Sequence, residues 1–209
     1  MSISYPSGLR ELLEELETFG ERNDATTTER ASRMLNITPE TGVFLSVLVR
    51  SMSARNILEI GTSNGYSTVW LASAAAAVGG RVTTLDVDAR KTQLAIHNLR
   101  RAGLEHVVEP LTGDAGVHLA RGAAGSWDFI FLDADRKPYA TWWPDLWRGL
   151  RPNGLLVVDN AVSHAAEMEP LVERIRQEPG ATQVLVPVGK GELMVLKATM
   201  REPGGTSPG

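Results

Sequence analysis

Between residues 56 and 160, short apolar runs rich in β-branched residues alternate with longer stretches whose apolar positions recur every three or four residues. The runs NILEI, RVTTLDV, VVEPLTG, WDFIFLD and GLLVVDN read as strands. Between them GYSTVWLASAAAAV, DARKTQLAIHNLRRAG, DAGVHLARG and PYATWWPDLWRGL read as helices, with Asp88 placed to cap the second and Gly103 to stop it. A further helix, HAAEMEPLVERIRQ, precedes two more apolar runs, TQVLVPV and ELMVLKA. The GKG between these predicts an antiparallel hairpin at one sheet edge. Strand–helix alternation predicts an α/β fold, a mostly parallel sheet covered on both faces. The unbroken apolar runs agree, because a strand buried on both faces needs no polar alternation.

The first 55 residues differ. Leu9, Leu12, Leu13, Leu16 and Phe19 fall at helical spacing among acids and predict an amphipathic helix. The polar ERNDATTTER leads into a second, short helix. ITPETGVFLSVLVRSM predicts a third, capped by Thr38 with Pro39 in its first turn and an apolar stripe of Val43, Phe44, Val47 and Leu48. The expectation is one domain over residues 1–199, with 1–55 as a helical cap, and a disordered tail over 200–209.

With 43% hydrophobic and 22% charged residues the chain has the balance of a soluble globular protein. A net charge of −4 offers no basic footprint, so nucleic acid is not the expected partner. The absence of cysteine removes disulfide and thiolate chemistry. The N-terminus lacks the basic start and apolar core of a secretion signal, and TVWLASAAAAVGG is too short and too rich in small residues to span a bilayer. These features predict a cytoplasmic location without a membrane partner.

In a parallel sheet, ligands bind beyond the carboxyl ends of the strands. Those ends carry Glu59 and Gly61, Asp86, Asp114, Asp133, and Asp159 with Asn160. In LEIGTSNGYS, residues 58–67, Gly61 and Gly65 permit tight turning and close approach of a ligand. Asp86 ends the next strand, where a carboxylate accepts hydrogen bonds from ribose hydroxyls. Ser63 stands where the dinucleotide fingerprint needs its middle glycine, which disfavours a pyrophosphate. Glu59 and Asp133 suit a nucleoside that carries an ammonium or sulfonium.

Taken in order, NILEIGTSNGYSTVWLA, VTTLDVD, FIFLDADRKPY and GLLVVDN resemble the S-adenosylmethionine-dependent O-methyltransferases of the catechol and caffeoyl-coenzyme A type, over residues 38–197. The resemblance implies a class I methyltransferase, Rossmann-like sheet of seven strands, one of them antiparallel, with N-terminal helices capping the site. It implies that Glu59, Gly61, Thr62, Ser63, Gly65, Tyr66, Ser67, Asp86, Val87, Asp114, Ala115 and Asp133 form the S-adenosylmethionine pocket. Ser67 would hold the methionine end and Asp86 the ribose, with Ile37 and Thr38 closing over them. The family's members are commonly dimeric, and the outer side of the first helix is the face available for a homodimer.

Asp133, Asp159 and Asn160 end neighbouring strands, and three oxygen donors suit Mg²⁺ or another hard divalent cation. An Asx turn is the plainer account of Asp159–Asn160. Such a cation would lower the pKa of an acceptor hydroxyl and orient it. The family's catechol-methylating members use a lysine as base where this chain has Arg136. A guanidinium stays protonated, so Arg136 cannot take that role. Lys137 and His164 are the alternatives, with Arg136 orienting an acidic group of the acceptor. Trp142, Trp143 and Trp147 are expected to pack on the sheet, one of them bordering the acceptor. His97, His106 and His118 lack ligand spacing. The expected activity is metal-assisted methyl transfer to a hydroxyl of a small, catechol-like molecule. The alternatives are a metal-independent methyltransferase using His164 or Lys137, a dinucleotide oxidoreductase, and a non-catalytic nucleoside-binding module.

Overall fold

A computed structural model describes residues 7–199; the expected tail lies outside them. Seven strands form one sheet in the order β3-β2-β1-β4-β5-β7-β6. They are β1 (Asn56–Ile60), β2 (Arg81–Asp86), β3 (Val108–Thr112), β4 (Trp127–Leu132), β5 (Leu150–Val158), β6 (Ala181–Val186) and β7 (Glu192–Lys197). Every adjacent pair is parallel except the two made by β7, which runs antiparallel to both β5 and β6. The chain winds outward from β1 to β3 and restarts at β4, so the switch of direction falls between β1 and β4.

Successive strand residues feed opposite cores. Ile57, Phe129, Phe131, Leu155 and Val157 face one layer, while Leu58, Ile60, Ile130, Leu132, Leu156 and Val158 face the other. The first layer is covered by α1 (Ser7–Thr26), α2 (Pro39–Ser51), α3 (Tyr66–Ala77) and α4 (Ala89–Arg101). The second is covered by α5 (Ala115–Arg121), α6 (Tyr139–Gly149) and α7 (Ala165–Arg176). Helix α3 is buried almost all round, because α2 and α1 pack over the side that faces away from the sheet. Its alanine run suits that position, since small side chains allow two close neighbours. Asp88 caps α4 by accepting from the Arg90 amide at 2.8 Å, and Gly103 takes φ +68° where that helix stops.

The N-terminal cap departs from its expected pattern in three places. Helix α1 runs on through Thr26, into the polar stretch, and the second helix is only a 3-10 turn at Arg30–Ser32. Leu9, Leu12, Leu13 and Leu16 are buried as expected, but Phe19 is 45% exposed and Gly20 takes the inward position. A Cβ on Gly20 would come within 2.4 Å of the Asn36 amide, so the segment after the turn lies on this glycine. In α2 the buried face is Thr41, Gly42, Leu45, Ser46 and Val49, and Val47 from the expected stripe is 53% exposed. Gly42 decides this, because a Cβ there would meet the Trp70 indole at 2.4 Å. Val43, Phe44 and Leu48 of that stripe pack half-buried against the same core, and close helix–helix approach puts the small residues at the centre of the face. Gly42→Ala is expected to lower Tm by about 5 °C or more, read by calorimetry.

At the far edge, β6 stops at Val186, because Pro187 has no N–H to continue the ladder. The connection to β7 spans residues 187–191 and folds inward. Gly191 and Lys190 accept from the Ala161 and Ser163 amides at 2.8 and 3.2 Å. This edge hairpin therefore reaches the carboxyl ends of the central strands.

Candidate active site

The three central strands end in step. The Gly61 amide donates to Leu85 O at 2.9 Å, Asp133 to Ile60 O at 2.9 Å, and Asp159 to Leu132 O at 3.0 Å. Each residue extends a ladder by one bond, and this registers the acids that follow β4 and β5 beside the glycine that follows β1. Gly61 has φ +110°, and a Cβ on it would lie 1.9 Å from the Asp133 carbonyl oxygen. Gly61→Ala is expected to cost about 2–4 kcal/mol and to abolish binding of S-adenosylhomocysteine, measured by melting and titration calorimetry.

Above these ends opens a cavity of about 1220 Å³. One wall is the loop from Gly61 to Ser67. The opposite walls come from residues 86–91 and 113–115, from residues 133–138, and from residues 160–167 with Lys190. Its roof is residues 34–37. Asp24 of α1 holds that roof, accepting from the Met34 and Leu35 amides at 2.7 and 2.8 Å, and Asn36 donates to Leu16 O at 3.0 Å.

Of the expected cofactor residues, Ile37, Gly61, Thr62, Ser63, Tyr66, Ser67, Asp86, Val87, Asp114, Ala115 and Asp133 line the cavity. Asp86 is fixed by the amides of Ser63 and Asp88, at 2.8 and 2.9 Å, which leaves further lone pairs for a ligand. Val87, 79% exposed, presents an apolar surface beside it. Asp114 caps α5 through the Val117 amide at 2.9 Å. Three expected residues stand outside the lining. Thr38 caps α2, accepting from the Thr41 amide at 3.3 Å. Gly65 turns the chain into α3 at φ +85° against Ala95. Glu59 lies fully buried beneath the pocket floor and accepts from Ser67, Thr68 and Thr84 hydroxyls at 2.5, 2.5 and 2.6 Å. Burial pushes its carboxyl up to about 7 against the pull of those three bonds. Glu59 thus orients Ser67 from below.

Asp133, Asp159 and Asn160 converge. The Asn160 amide nitrogen donates to Asp159 Oδ2 and stands 3.5 Å from Asp133 Oδ1, with Asn160 at φ +63°. Asp159 and Asn160 are buried; Asp133 and Asn160 line the cavity, and Asp159 lies behind them, outside its lining. Burial first, and the Asp159 charge second, push the Asp133 carboxyl well above the usual range, with Arg136 and Lys190 pulling it back. Beneath them Glu192, which no sequence pattern singled out, accepts from Thr41 Oγ1 at 3.0 Å. Burial and the neighbouring Asp159 push its carboxyl up to about 10, so it is neutral at pH 7. Among the described residues no group of three or more His, Cys, Asp or Glu is arranged to hold a metal. The converging set contains two acids and one amide.

Arg136, Lys137 and His164 all border this end of the cavity. Arg136 is buried, with Nη1 3.7 Å from Glu167 Oε2. His164 occupies the N-cap position of α7 but makes no side-chain cap; its Nδ1 lies 2.9 Å from Ser163 Oγ. Lys190, brought in by the β6–β7 connection, is a cation the sequence pattern did not reveal. Trp142 borders the cavity, whereas Trp143 stacks on Trp147 at 5.3 Å and donates to Glu178 at 3.1 Å. Among the described residues no helix is long and apolar enough to cross a membrane.

Comparison with known proteins agrees with this geometry. The sequence model of a family described as O-methyltransferase matches residues 7–198. A catechol O-methyltransferase of Niastella koreensis is 37% identical over 151 residues, covering 68% of each chain. A probable caffeoyl-CoA O-methyltransferase of Dictyostelium discoideum is 26% identical, covering 94% of this chain and 89% of its own. The crystal structure of an O-methyltransferase from Bacillus cereus in complex with SAH superposes with a TM-score of 0.75 at 30% identity, over 93% of this chain and 92% of that one. With the nucleoside-shaped cleft at the switch point, these relationships establish that the chain belongs to the O-methyltransferase family and is an S-adenosylmethionine-dependent enzyme of the catechol and caffeoyl-CoA type.

Proposed function

We propose that this enzyme methylates one hydroxyl of a small aromatic vicinal diol, with a divalent cation held by Asp133, Asp159 and Asn160. The observation that carries the proposal is the convergence of those three side chains at the carboxyl ends of β4 and β5, two of them lining the cofactor cleft. Their donor chemistry fits a hard cation such as Mg²⁺ once the Asn160 amide turns its oxygen inward, an exchange of two ends of similar shape. When bound, such a cation supplies Lewis acidity that lowers the pKa of the acceptor hydroxyl.

The chain's own residues do the rest. Asp86 receives the ribose hydroxyls, Val87 and Ala115 flank the adenine, and Ser67, steadied by Glu59, meets the methionine end. Ile37 and Met34 exclude water from above. The reaction is one displacement at carbon, so holding donor and acceptor in line supplies most of the acceleration. The proton leaves to a side chain of the cavity, His164 or Lys137. With Nδ1–H donating to Ser163 Oγ, His164 has the Nε2 lone pair free for this transfer. His164→Ala is expected to lower kcat about tenfold or more and to flatten one limb of the pH–rate profile, with Lys137→Met as the comparison.

A metal-independent reading has one observation in its favour: Arg136 and Lys190 already offset the charge on Asp133, and the Asn160 amide nitrogen faces both acids. Methylation of a catechol panel with and without EDTA decides between them. Loss of activity in EDTA, restored by excess Mg²⁺, is expected; full activity in EDTA selects the metal-independent reading. The proposal also takes the enzyme to be a cytoplasmic homodimer, supported by the exposed Phe19 on α1 and Val47 on α2.

A further inference from the structure

Arg136 is a buried cation without a sufficient partner. Only 5% of the residue is exposed, and its guanidinium donates no hydrogen bond to any described residue. Nε is fully enclosed and unpaired. Among the described residues its one ion pair is to Glu167, at 3.7 Å from Nη1, and the Glu167 side chain is 52% exposed. Asp133 feels the charge of Arg136, but that carboxylate already faces Asn160 and Asp159. A guanidinium held in this way has paid much of its desolvation without the bidentate bond that its planar fork is shaped to make. An anion is the missing piece.

The position of the guanidinium says which anion. Arg136 lies beside Glu167 of α7, and with Ser163, His164 and Lys190 it lines the part of the cavity built by elements other than the loop of Gly61 to Ser67, which receives the cofactor. Lys190 and Lys137 border the same region, making this end of the cavity cationic around its acids. The group that enters here is the methyl acceptor.

We propose that Arg136 receives a carboxylate carried by the acceptor, so that the preferred substrate is an acidic aromatic diol rather than a neutral catechol. This inference rests on the diol reading given above. The carboxylate accepts two parallel hydrogen bonds from the two Nη groups, the end of the guanidinium that is not enclosed, which fixes the ring and thereby chooses the hydroxyl presented for methylation. Arg136 acts here as a specificity-determining and positioning residue.

The test is binding to the enzyme loaded with S-adenosylhomocysteine, read by titration calorimetry with 3,4-dihydroxybenzoate and with its neutral amide, each with and without Mg²⁺. The acid is expected to bind about tenfold tighter or more. In Arg136→Gln the acid should fall to the affinity of the amide, while the amide and S-adenosylhomocysteine bind as before. Arg136→Lys, which keeps the charge and loses the fork, should retain part of the preference. Equal binding of acid and amide to the unaltered enzyme overturns the inference without recourse to any variant. So does a preference that survives in Arg136→Gln, or one seen only with Mg²⁺ and untouched by the substitution. Weaker S-adenosylhomocysteine binding in Arg136→Gln, with acceptor discrimination unchanged, overturns it in favour of the cofactor's own carboxylate. Binding is independent of turnover: an acid held through Arg136 but never methylated would refute the diol reading and leave this one standing.

Discussion

Asp159→Ala is expected to lower kcat/KM about a hundredfold or more while leaving the fold intact. The backbone argument comes first. What ties Asp159 into the sheet is its amide, bonded to Leu132 O, and alanine keeps that bond. The side chain accepts from the Asn160 amide nitrogen, and alanine loses that bond. Against that loss, Asp159 pushes up both Asp133 and Glu192, so its charge opposes the ionisation of two neighbouring acids in a buried space. Removing it relieves that opposition and forfeits the Asn160 bond, so stability is expected to hold within about 1 kcal/mol. A variant that melts close to the parent and has lost turnover and Mg²⁺ binding together is the signature of a functional cluster. Unchanged turnover would remove Asp159 from the metal assignment, and a steep fall in Tm would make it a structural residue instead. Calorimetry with Mg²⁺ and a melting curve, on one preparation, separate the three outcomes.

The sheet was legible because its strands are unbroken apolar runs and its helices carry caps that chemistry makes recognisable, Asp88 and Thr38 among them. Acids at several strand ends announced the functional edge for the same reason: a carboxylate following Phe-Ile-Phe-Leu has no use in a core. The family resemblance then implied the cofactor, and the full-length match agrees with it, which leaves the oxidoreductase and the non-catalytic module without support. What escaped was whatever depends on three dimensions of packing. Gly42 sits at the centre of the buried face of α2, since close approach to Trp70 needs a small residue there, which leaves Val43, Phe44 and Leu48 half-buried at its margin and Val47 exposed. Lys190 and Glu192 join the site from an edge hairpin, some 30 residues beyond Asp159, and no local spacing connects them. Glu59 was readable as a strand-end acid but not as one directed beneath the pocket, because only the paired hydroxyls of Ser67, Thr68 and Thr84 draw it inward.

That inward position makes Glu59 the site of the second large effect. Its carboxylate is the common acceptor for three hydroxyls, and Thr84 Oγ1 is further linked to Thr62 Oγ1 at 2.6 Å. Glu59→Ala leaves three buried hydroxyls without their acceptor and opens a void, and is expected to cost about 3–5 kcal/mol, or about 10 °C in Tm for a chain of this size. Ser67 then loses its orientation, and affinity for S-adenosylhomocysteine should fall about tenfold. The wild-type pH dependence identifies the same group. Burial raises the folded-state pKa of Glu59 from 4.5 to about 7, so between those values the folded protein binds more protons than the unfolded chain. Stability from this carboxyl is therefore complete below pH 4.5 and is lost as pH rises through 7, a change of about 3 kcal/mol. Glu59→Gln, which keeps one acceptor oxygen and cannot ionise, should cost about 1–2 kcal/mol at pH 5 and lack this component. Its deficit relative to the parent should shrink or reverse by pH 8. Parallel stability–pH curves for parent and Glu59→Gln, from denaturant melts on the cofactor-free protein, would show that Glu59 does not titrate between pH 4.5 and 7 and would remove it as the pH-sensitive support of the pocket floor.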